Sequence, residues 1–189
     1  MLGVNVFKTR EVVLKNNIPV VIRQAVLSDA EGILNAINKY IPESEYIPLK
    51  KNELSQSIEE KEEWIKGFLD YENSLLLVAE YNDEIIGNID LTGSRREIMS
   101  HTALIGMGLL TEWRSCGLGT NFLSLLIEWA KSNTVLELLW LQVYTENREG
   151  FSLYKKMGFI ENGIIRNFFK QDDRYFHNLT MSLDVSKGS

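Results

Sequence analysis

The chain is poor in several features that would point to other classes of protein. Its 189 residues include one cysteine, two histidines and three prolines, and no apolar run is long enough to span a membrane. A single cysteine, Cys116, excludes an internal disulfide and fits a reducing compartment. Positive charge is also scarce, since 20 Lys and Arg stand against 26 Asp and Glu, a formal net charge of −6. General binding to nucleic acid, which needs a basic surface, is therefore not expected.

What remains is the composition of a folded globule. Hydrophobic residues make up 44% and charged residues 24% of the chain, and its length is enough to bury a sizeable core. We expect a single domain over residues 1–189, in which residues 1–19 are an N-terminal extension with a candidate hairpin strand. The first residues, MLGVNVFKTREVV, lack the charged-then-apolar layout of a signal peptide, so a cytoplasmic location is expected.

The hydrophobic pattern changes between the strand period and the helix period along the chain. Strands are predicted at residues 12–14, 20–25, 75–81, 85–91, 103–110, 138–143, 159–166 and 175–183. Helices are predicted at residues 28–40, 57–70, 118–131 and 147–157. The first two helices begin at a serine, Ser28 and Ser57, with a glutamate three residues later, which is the signature of a capping box. This order predicts an α/β (α+β) fold with helices on the faces of a mixed sheet.

Residues 102–131 hold the most informative pattern. A short apolar run interrupted by Gly106 and Gly108 predicts a buried strand, and an amphipathic helix follows from Leu118. The turn between them contains Arg114, Gly117 and Gly119. A helix that begins after such a turn presents unpaired backbone N–H groups and the positive end of its dipole, which together favour an anion. Two glycines alone are equally consistent with a simple turn.

The turn reads Arg114-Ser115-Cys116-Gly117-Leu118-Gly119, and it resembles the Q/R-x-x-G-x-G/A signature of the GNAT acetyltransferase superfamily. A second segment, residues 141–159, resembles the family pattern that contains Asn147, Leu153-Tyr154 and Gly158-Phe159. It departs from that pattern at Phe151, one residue past the usual small residue. The resemblance covers residues 20–183. It implies a twisted, mostly antiparallel sheet of about seven strands with about four helices on its faces.

The resemblance also implies a cosubstrate, acetyl-CoA, without a metal. The residues it assigns to cofactor binding are Leu109, Leu110, Arg114, Ser115, Cys116, Gly117, Leu118, Gly119, Thr120, Asn147 and Tyr154. In the family, the turn binds the pyrophosphate and the pantetheine arm pairs with a free strand edge, here expected at residues 107–110. The backbone N–H near Leu109 would stabilise the oxyanion. Tyr154 is the expected catalytic residue, which protonates the leaving thiolate, and Asn147 would bind the arm, cap the helix, or do both.

The base that deprotonates the amine is not defined by the sequence. Many members of the family carry a glutamate in the central strand, and the matching residue here is Leu104. Glu112, Asp90, His101 and a bound water remain as alternatives. A covalent acyl-cysteine at Cys116 would need a base beside it, and no motif links either histidine to this cysteine, so direct attack is expected.

The function expected from the resemblance is an N-acetyltransferase that acts on a primary amine, either a small molecule or a protein N-terminus. The alternative is a non-catalytic module of the same fold that binds or senses acyl-CoA. The expected partner is therefore a small-molecule amine or a peptide N-terminus, with no nucleic acid and no membrane, and a homodimer stays open. Acceptor identity would depend on residues 41–51, 57–70 and 170–174.

Overall fold

The strands of the chain form one continuous sheet. The structure, a computed structural model, describes residues 6–54 and 57–187, with the backbone alone at residue 51. Its strands are β1 (Arg10–Val13), β2 (Pro19–Gln24), β3 (Leu75–Tyr81), β4 (Glu84–Gly93), β5 (Thr102–Leu109), β6 (Leu138–Tyr144), β7 (Ile160–Gln171) and β8 (Arg174–Asp184). They are arranged in the order β1-β2-β3-β4-β5-β6-β8-β7. Every neighbouring pair is antiparallel except β5 and β6, which are parallel.

Four helices complete the described part of the chain. They are α1 (Ala30–Tyr40), α2 (Ile58–Leu69), α3 (Leu118–Ser132) and α4 (Arg148–Lys156). Tyr40 of α1 packs on Gly108 of β5, whereas Gly119 of α3 contacts Met107 of β5 and Leu153 of α4. Because successive residues of a strand point to opposite faces, α1 lies on one face of the sheet and α3 and α4 lie on the other. α2 packs beside α1 and β3.

The core lies between the helices and the central strands. β3 is buried from Leu75 to Ala79 and β4 from Ile86 to Ile89, as expected for strands covered on both faces. Leu118, Phe122 and Leu126 of α3 are fully buried, which confirms the apolar face predicted for that helix. No helix among the described residues is long and apolar enough to cross a membrane.

Short polar turns join β1 to β2 and β3 to β4 as two hairpins. Asn82 and Asp83 join β3 to β4 with φ angles of 49° and 64°, the left-handed pair that a two-residue hairpin turn requires. Asn17, in the turn between β1 and β2, has a φ of 62°. Asparagine and aspartate tolerate this conformation better than most residues, which explains why these sequences become turns.

The sheet has eight strands rather than about seven, because the N-terminal strand β1 pairs with β2 in the same sheet. The start of α1 also differs from the prediction. A short 3-10 turn, Leu27–Asp29, precedes the helix, and Asp29 rather than Ser28 stands at its N-cap. The Asp29 carboxylate accepts hydrogen bonds from Arg23 and from the backbone N–H of Val26, so it organises this entry in place of the serine. At α2 the prediction holds, since Ser57 accepts from the N–H of Glu60.

The last hairpin is longer than its hydrophobic pattern indicated. β7 runs from Ile160 to Gln171, and Asp172 and Asp173 alone form its turn to β8. A bulge interrupts the pairing between Ile165 and Phe169, where Asn167 has a φ of 55° and its N–H donates to Nδ1 of His177 at 3.0 Å. The bulge breaks the period-2 alternation, which is why the sequence suggested an earlier end to the strand.

Candidate active site

The two parallel strands at the centre of the sheet separate after a short common run. β5 and β6 share three register pairs, the last between Leu104 and Trp140, and no further pair follows among the described residues. β5 continues beside β4 to Leu109, and β6 continues beside β8 to Tyr144. The sheet is therefore open between the carboxyl-terminal halves of β5 and β6.

The edge of β5 that faces this opening carries unpaired backbone groups. Leu110 donates its N–H to the carbonyl of Ile86, on the β4 side, at 3.1 Å. The alternation of an antiparallel ladder then turns the backbone groups of Ile105, Met107 and Leu109 away from β4. The parallel pairing of Leu104 with Trp140 uses the Ile105 N–H, and the Leu109 carbonyl accepts from Arg114. The groups left toward the opening are the Ile105 carbonyl, both groups of Met107 and the Leu109 N–H. The free edge thus runs from Ile105 to Leu109, instead of the predicted residues 107–110, because the N–H of Leu110 is committed to β4.

The two glycines of β5 accommodate side chains from neighbouring elements. A Cβ on Gly108 would lie 2.2 Å from the Tyr40 ring, and a Cβ on Gly106 would lie 2.6 Å from Oδ1 of Asp90. The pairing of β5 with β4 continues past both residues without a register shift. The glycines therefore make room for the side chains of Tyr40 and Asp90.

The turn after β5 presents the N-terminus of α3 to the same opening. Ser115 and Gly117 have left-handed φ angles of 57° and 97°, and the first i to i−4 hydrogen bond of the helix runs from Asn121 to Gly117. The N–H groups of Leu118, Gly119 and Thr120 consequently have no partner within the helix, and Gly117 offers no side-chain cap. Three backbone donors and the positive end of the helix dipole meet here.

Three basic side chains line the cleft around this helix end. Arg114 donates from Nε and Nη2 to the carbonyl of Leu109 at 3.4 and 3.3 Å. This side chain therefore bridges the turn back to the last residue of β5. Lys15, from the turn between β1 and β2, runs along Gly117, and its backbone N–H donates to the carbonyl of Cys116 at 2.9 Å. Arg148 lies at the start of α4. Lys15 and Arg114 therefore place positive charge beside the exposed N-terminus of α3.

Three residues of the expected cofactor set turn their side chains away from the opening. Leu110 and Leu118 are buried in the core. Cys116 donates from Sγ to the carbonyl of Trp113 at 3.0 Å and packs against the core. Any contact that these residues make with a molecule in the cleft would therefore use their backbone atoms.

α4 forms the opposite wall and carries the expected catalytic tyrosine. Asn147 caps the helix by accepting the N–H of Gly150 at 2.9 Å, and its side-chain amide also faces the cleft. Tyr154 lies one helical turn after Gly150 and packs edge-on against Phe159 at a centroid distance of 5.9 Å. Burial raises the pKa of the Tyr154 hydroxyl to about 12, so this group stays protonated throughout the neutral range.

All these features line one cleft of about 1030 Å³ that passes through the open part of the sheet. The expected site residues that line it are Leu109, Arg114, Ser115, Gly117, Gly119, Thr120, Asn147 and Tyr154. Leu104, in the position where related proteins carry a glutamate, also lines it. A molecule in this cleft would contact the free edge of β5, the N-terminus of α3 and the Tyr154 face of α4 together.

On the α1 side, three neighbouring polar residues line the cleft, namely Tyr40, Asn88 and Asp90. Tyr40 donates to Oδ1 of Asn88 at 3.0 Å, and Asp90 accepts from Thr92 at 3.2 Å. Burial raises the pKa of Asp90 to about 6, and the Thr92 hydrogen bond opposes that shift. Burial and the nearby charge of Asp90 also raise the pKa of Tyr40. Asp90 is therefore a carboxylate that changes charge close to neutral pH.

The other two candidates for the base lie outside the cleft. Glu112 is exposed on the short turn Thr111–Trp113 and is not among the residues that line the opening. His101 precedes β5, at the opposite end of that strand from Leu109, and its carbonyl accepts from Glu137 and Leu138. Of the three side chains left open by the sequence, Asp90 alone faces the opening in the described part of the chain.

The loop after α1 and the tip of the β7–β8 hairpin contact each other. Gln171 donates to the carbonyl of Glu45 at 3.3 Å and to the Tyr144 hydroxyl at 3.2 Å. Tyr46 packs against the Tyr144 ring at 5.7 Å. Residues 43–49 of the loop line the cleft. The loop and the hairpin therefore form a joined wall on this side of the opening.

Comparison with known proteins identifies this architecture. Residues 22–180 match the family model described as an acetyltransferase (GNAT) domain. The chain belongs to the GNAT acetyltransferase family. It is accordingly an acyltransferase enzyme with the fold of that family, as the resemblance predicted.

Similar GNAT proteins agree with this assignment over most of the chain. An uncharacterized N-acetyltransferase, YhfO, from Bacillus subtilis (strain 168) is 30% identical over 143 residues, which are 75% of this chain and 90% of YhfO. A GNAT-family acetyltransferase structure from Streptococcus pneumoniae has a TM-score of 0.84 and 24% identity, covering 88% of this chain and 99% of its own. The structure of yncA, a putative acetyltransferase from Salmonella typhimurium with its cofactor acetyl-CoA, has a TM-score of 0.80 and 17% identity. The match covers 90% of this chain and 96% of the yncA chain.

Within this GNAT chain, sequence reasoning did not single out Lys15, Tyr40 or Asn88, which also line the cleft. Lys15 gives no local signal, because its place beside Gly117 depends on a contact between distant segments. Tyr40 reads as an ordinary core residue of α1. Asn88 and Asp90 do carry a signal, since they stand two residues apart in an otherwise apolar strand and must share one face.

Proposed function

We propose that this GNAT enzyme transfers the acetyl group of acetyl-CoA to a small primary amine by direct attack of the amine. The observation that carries the proposal is the opening between β5 and β6. There an unpaired strand edge, the free N-terminus of α3 and the residue Tyr154 line a single cleft. Each of these groups meets one requirement of thioester aminolysis.

The first requirement is to hold acetyl-CoA, which enters this site as a substrate. The unpaired N–H groups of Leu118, Gly119 and Thr120 are suited to phosphate oxygens, and Lys15 and Arg114 add positive charge beside them. The free edge from Ile105 to Leu109 offers backbone donors and acceptors to the amides of the pantetheine arm, as a further strand would. The Asn147 side-chain amide faces the same space from α4.

The second requirement is to stabilise charge during the reaction. The N–H of Leu109 points into the opening and would donate to the thioester oxygen as that oxygen becomes negative. The amine nitrogen forms a bond to the carbonyl carbon, and collapse breaks the carbon–sulfur bond, with its electron pair leaving on sulfur. Tyr154 donates a proton to this sulfur and is reprotonated by the proton that the nitrogen sheds as the amide forms. Cys116 takes no part, because its Sγ is held against the Trp113 carbonyl.

The acceptor half of the cleft favours a small molecule over a protein N-terminus. The loop after α1 is joined to the β7–β8 hairpin by the Gln171–Glu45 hydrogen bond and by an ion pair between Lys50 and Asp172 at 3.6 Å. This wall limits the length of an acceptor that can lie across the opening. Tyr40, Asn88 and Asp90 supply the polar contacts for an amine on its inner side.

The test is a panel of amines with acetyl-CoA, in which thiol release reports turnover. The panel contains small primary amines, amino acids and short peptides with free N-termini, and a thermal-shift titration with CoA runs in parallel. We expect turnover with small amines and a CoA-dependent rise in melting temperature. Turnover with the peptides alone would overturn the assignment of the acceptor. A thermal shift without turnover of any amine would instead support a non-catalytic acyl-CoA-binding role.

A further inference from the structure

The carboxylate of Asp90 occupies a position that depends on the absence of a side chain at Gly106. The two residues are direct partners in the β4–β5 register, and a Cβ on Gly106 would lie 2.6 Å from Oδ1 of Asp90. The carboxylate therefore reaches over the backbone of β5 with Oδ1, inside the cleft, while Oδ2 accepts from Thr92 on β4. Only glycine at position 106 permits this arrangement.

The same face of β5 includes Leu104, where a glutamate stands in many related proteins. Residues 104, 106 and 108 share that face, and they pair with Thr92, Asp90 and Asn88 respectively. Asp90 is thus one diagonal cross-strand step from Leu104, on the same side of the sheet. β5 has no carboxylate at Leu104, but Asp90 of β4 places a carboxylate at the neighbouring position on the same face.

Asp90 forms no ion pair with the described residues, and its carboxylate accepts a hydrogen bond from Thr92 at 3.2 Å. The titratable groups that line this half of the cleft are Tyr40 of α1, Glu43, Glu45 and Tyr46 of the following loop, and Lys61 of α2. Burial lowers the pKa of Lys61, and Tyr40 donates its hydrogen to Asn88. Glu43 and Glu45 belong to the loop, so Asp90 is the carboxylate that the sheet contributes to this half of the cleft. Its carboxylate can accept a proton.

We propose that Asp90 is the general base of the reaction and removes a proton from the incoming ammonium through bound water. This inference rests on the proposed N-acetyltransferase function. Leu109 lies three residues after Gly106 along β5, a span of about 10 Å, so a water relay rather than direct contact is required. Asn88 and the Tyr40 hydroxyl line the interval and can orient that water.

The proton count balances with the roles already given. The ammonium loses one proton through water to Asp90, which leaves a lone pair on nitrogen for attack on the carbonyl carbon. The second proton leaves the nitrogen as the amide forms and replaces the one that Tyr154 gives to sulfur. Asp90 then returns its proton to solvent. Its pKa of about 6 suits this cycle, because the carboxylate is ionised at neutral pH but binds a proton readily.

The test compares the wild type with Asp90→Asn and with Glu112→Gln, a control that removes an exposed carboxylate outside the cleft. Steady-state rates are measured from pH 5 to pH 10 with acetyl-CoA and an amine accepted by the wild type. We expect the wild-type rate to fall below about pH 6. At pH 7, Asp90→Asn should be about 100-fold slower. This gap should close toward the amine pKa of about 10, where the substrate is already neutral. Glu112→Gln should follow the wild type.

An unchanged rate in Asp90→Asn, or a gap that stays constant with pH, would overturn the inference while leaving the proposed function intact. Absence of turnover in the wild type would overturn both. Denaturation curves without ligand provide a check that does not depend on turnover. The stability of Asp90→Asn relative to the wild type should grow as the pH rises from about 4 to about 6, since over that range the raised pKa of the wild-type carboxyl group opposes its ionisation in the folded state. A constant difference would mean an ordinary solvated carboxylate and would also overturn the inference.

Discussion

The side chain of Lys15 runs along Gly117, with its Cγ 3.4 Å from the point where a Cβ on that glycine would lie. The backbone of the same lysine donates to the carbonyl of Cys116 at 2.9 Å. The hairpin β1–β2 is therefore fastened to the turn that begins α3. This contact brings a positive charge from the N-terminal hairpin to the predicted phosphate site.

Replacing Lys15 with alanine should weaken CoA binding about tenfold. The expected loss is that of one charge-assisted hydrogen bond, about 1.5 kcal/mol, at a solvent-accessible position. Calorimetric titration with CoA at two salt concentrations measures it, and the variant should also show a weaker salt dependence. Lys8→Ala, at an exposed position before β1, is the matched control. Equal CoA affinity in Lys15→Ala and the control would exclude Lys15 from the phosphate site.

The replacement of Tyr154 by phenylalanine should slow the chemical step by about a hundred- to ten-thousandfold, because it removes the proton donor and little volume. CoA affinity and melting temperature should change little. Single-turnover rates, a CoA titration and a melting curve are measured on the same preparation, with Tyr175→Phe as a control at a tyrosine that is 56% exposed. Full activity in Tyr154→Phe would assign thiolate protonation to water.

Cys116 should be dispensable for turnover. In Cys116→Ala the hydrogen bond from Sγ to the Trp113 carbonyl is lost, which should cost about 1 kcal/mol of stability. The rate should remain within about twofold of the wild type, because direct attack needs no acyl-enzyme. Intact-protein mass spectrometry after mixing with acetyl-CoA checks this, and an acetyl adduct on Cys116 that disappears when amine is added would contradict it.

The ion pair between Arg23 and Asp29 should make stability depend on pH in the acidic range. Its Nη1 to Oδ2 distance is 2.7 Å, and Arg23 also pairs with Glu80. Burial raises the pKa of Asp29, but the hydrogen bonds from Arg23 and from the Val26 N–H outweigh it and hold that pKa below 3.8. The stabilisation is therefore complete above about pH 4 and is lost as the pH falls through the lower pKa of the folded state.

Asp29→Asn should accordingly be less stable than the wild type by about 2 kcal/mol at pH 6. The difference should shrink below pH 4, where the wild-type carboxylate is also protonated. Urea denaturation from pH 2.5 to pH 7 measures both effects. Asp70→Asn, at the C-cap of α2, is the control. A difference between Asp29→Asn and the wild type that does not vary with pH would show that the carboxylate charge is unimportant.

Local signals in the sequence predicted the elements well. The turn residues Asn82 and Asp83 determine their hairpin, and β3 has the predicted bounds because an uninterrupted apolar run ends at a turn. The motif from Arg114 to Gly119 also predicted the N-terminus of α3 and its free donors. In each case the deciding interaction lies within a few residues along the chain.

Features that depend on register or on distant contacts could not be predicted in the same way. The role of Gly106 becomes visible only when its partner on β4 is known to be Asp90. Asp29 replaces Ser28 as the organising residue because Arg23, on a different element, binds its carboxylate. Gly119 permits α3 to approach α4, since a Cβ at this position would lie 3.2 Å from Cδ2 of Leu153.

The short paired run of β5 and β6, here called the seam, also divides the chain into two portions. Everything up to α3 precedes it, whereas β6, α4, β7 and β8 follow it, and three register pairs join the two portions within the sheet. A molecule lying in the opening would touch both portions at once and act as a tie between them. Amide hydrogens on the two sides of the seam should then exchange more slowly together when the cleft is filled, although few of them contact the bound molecule.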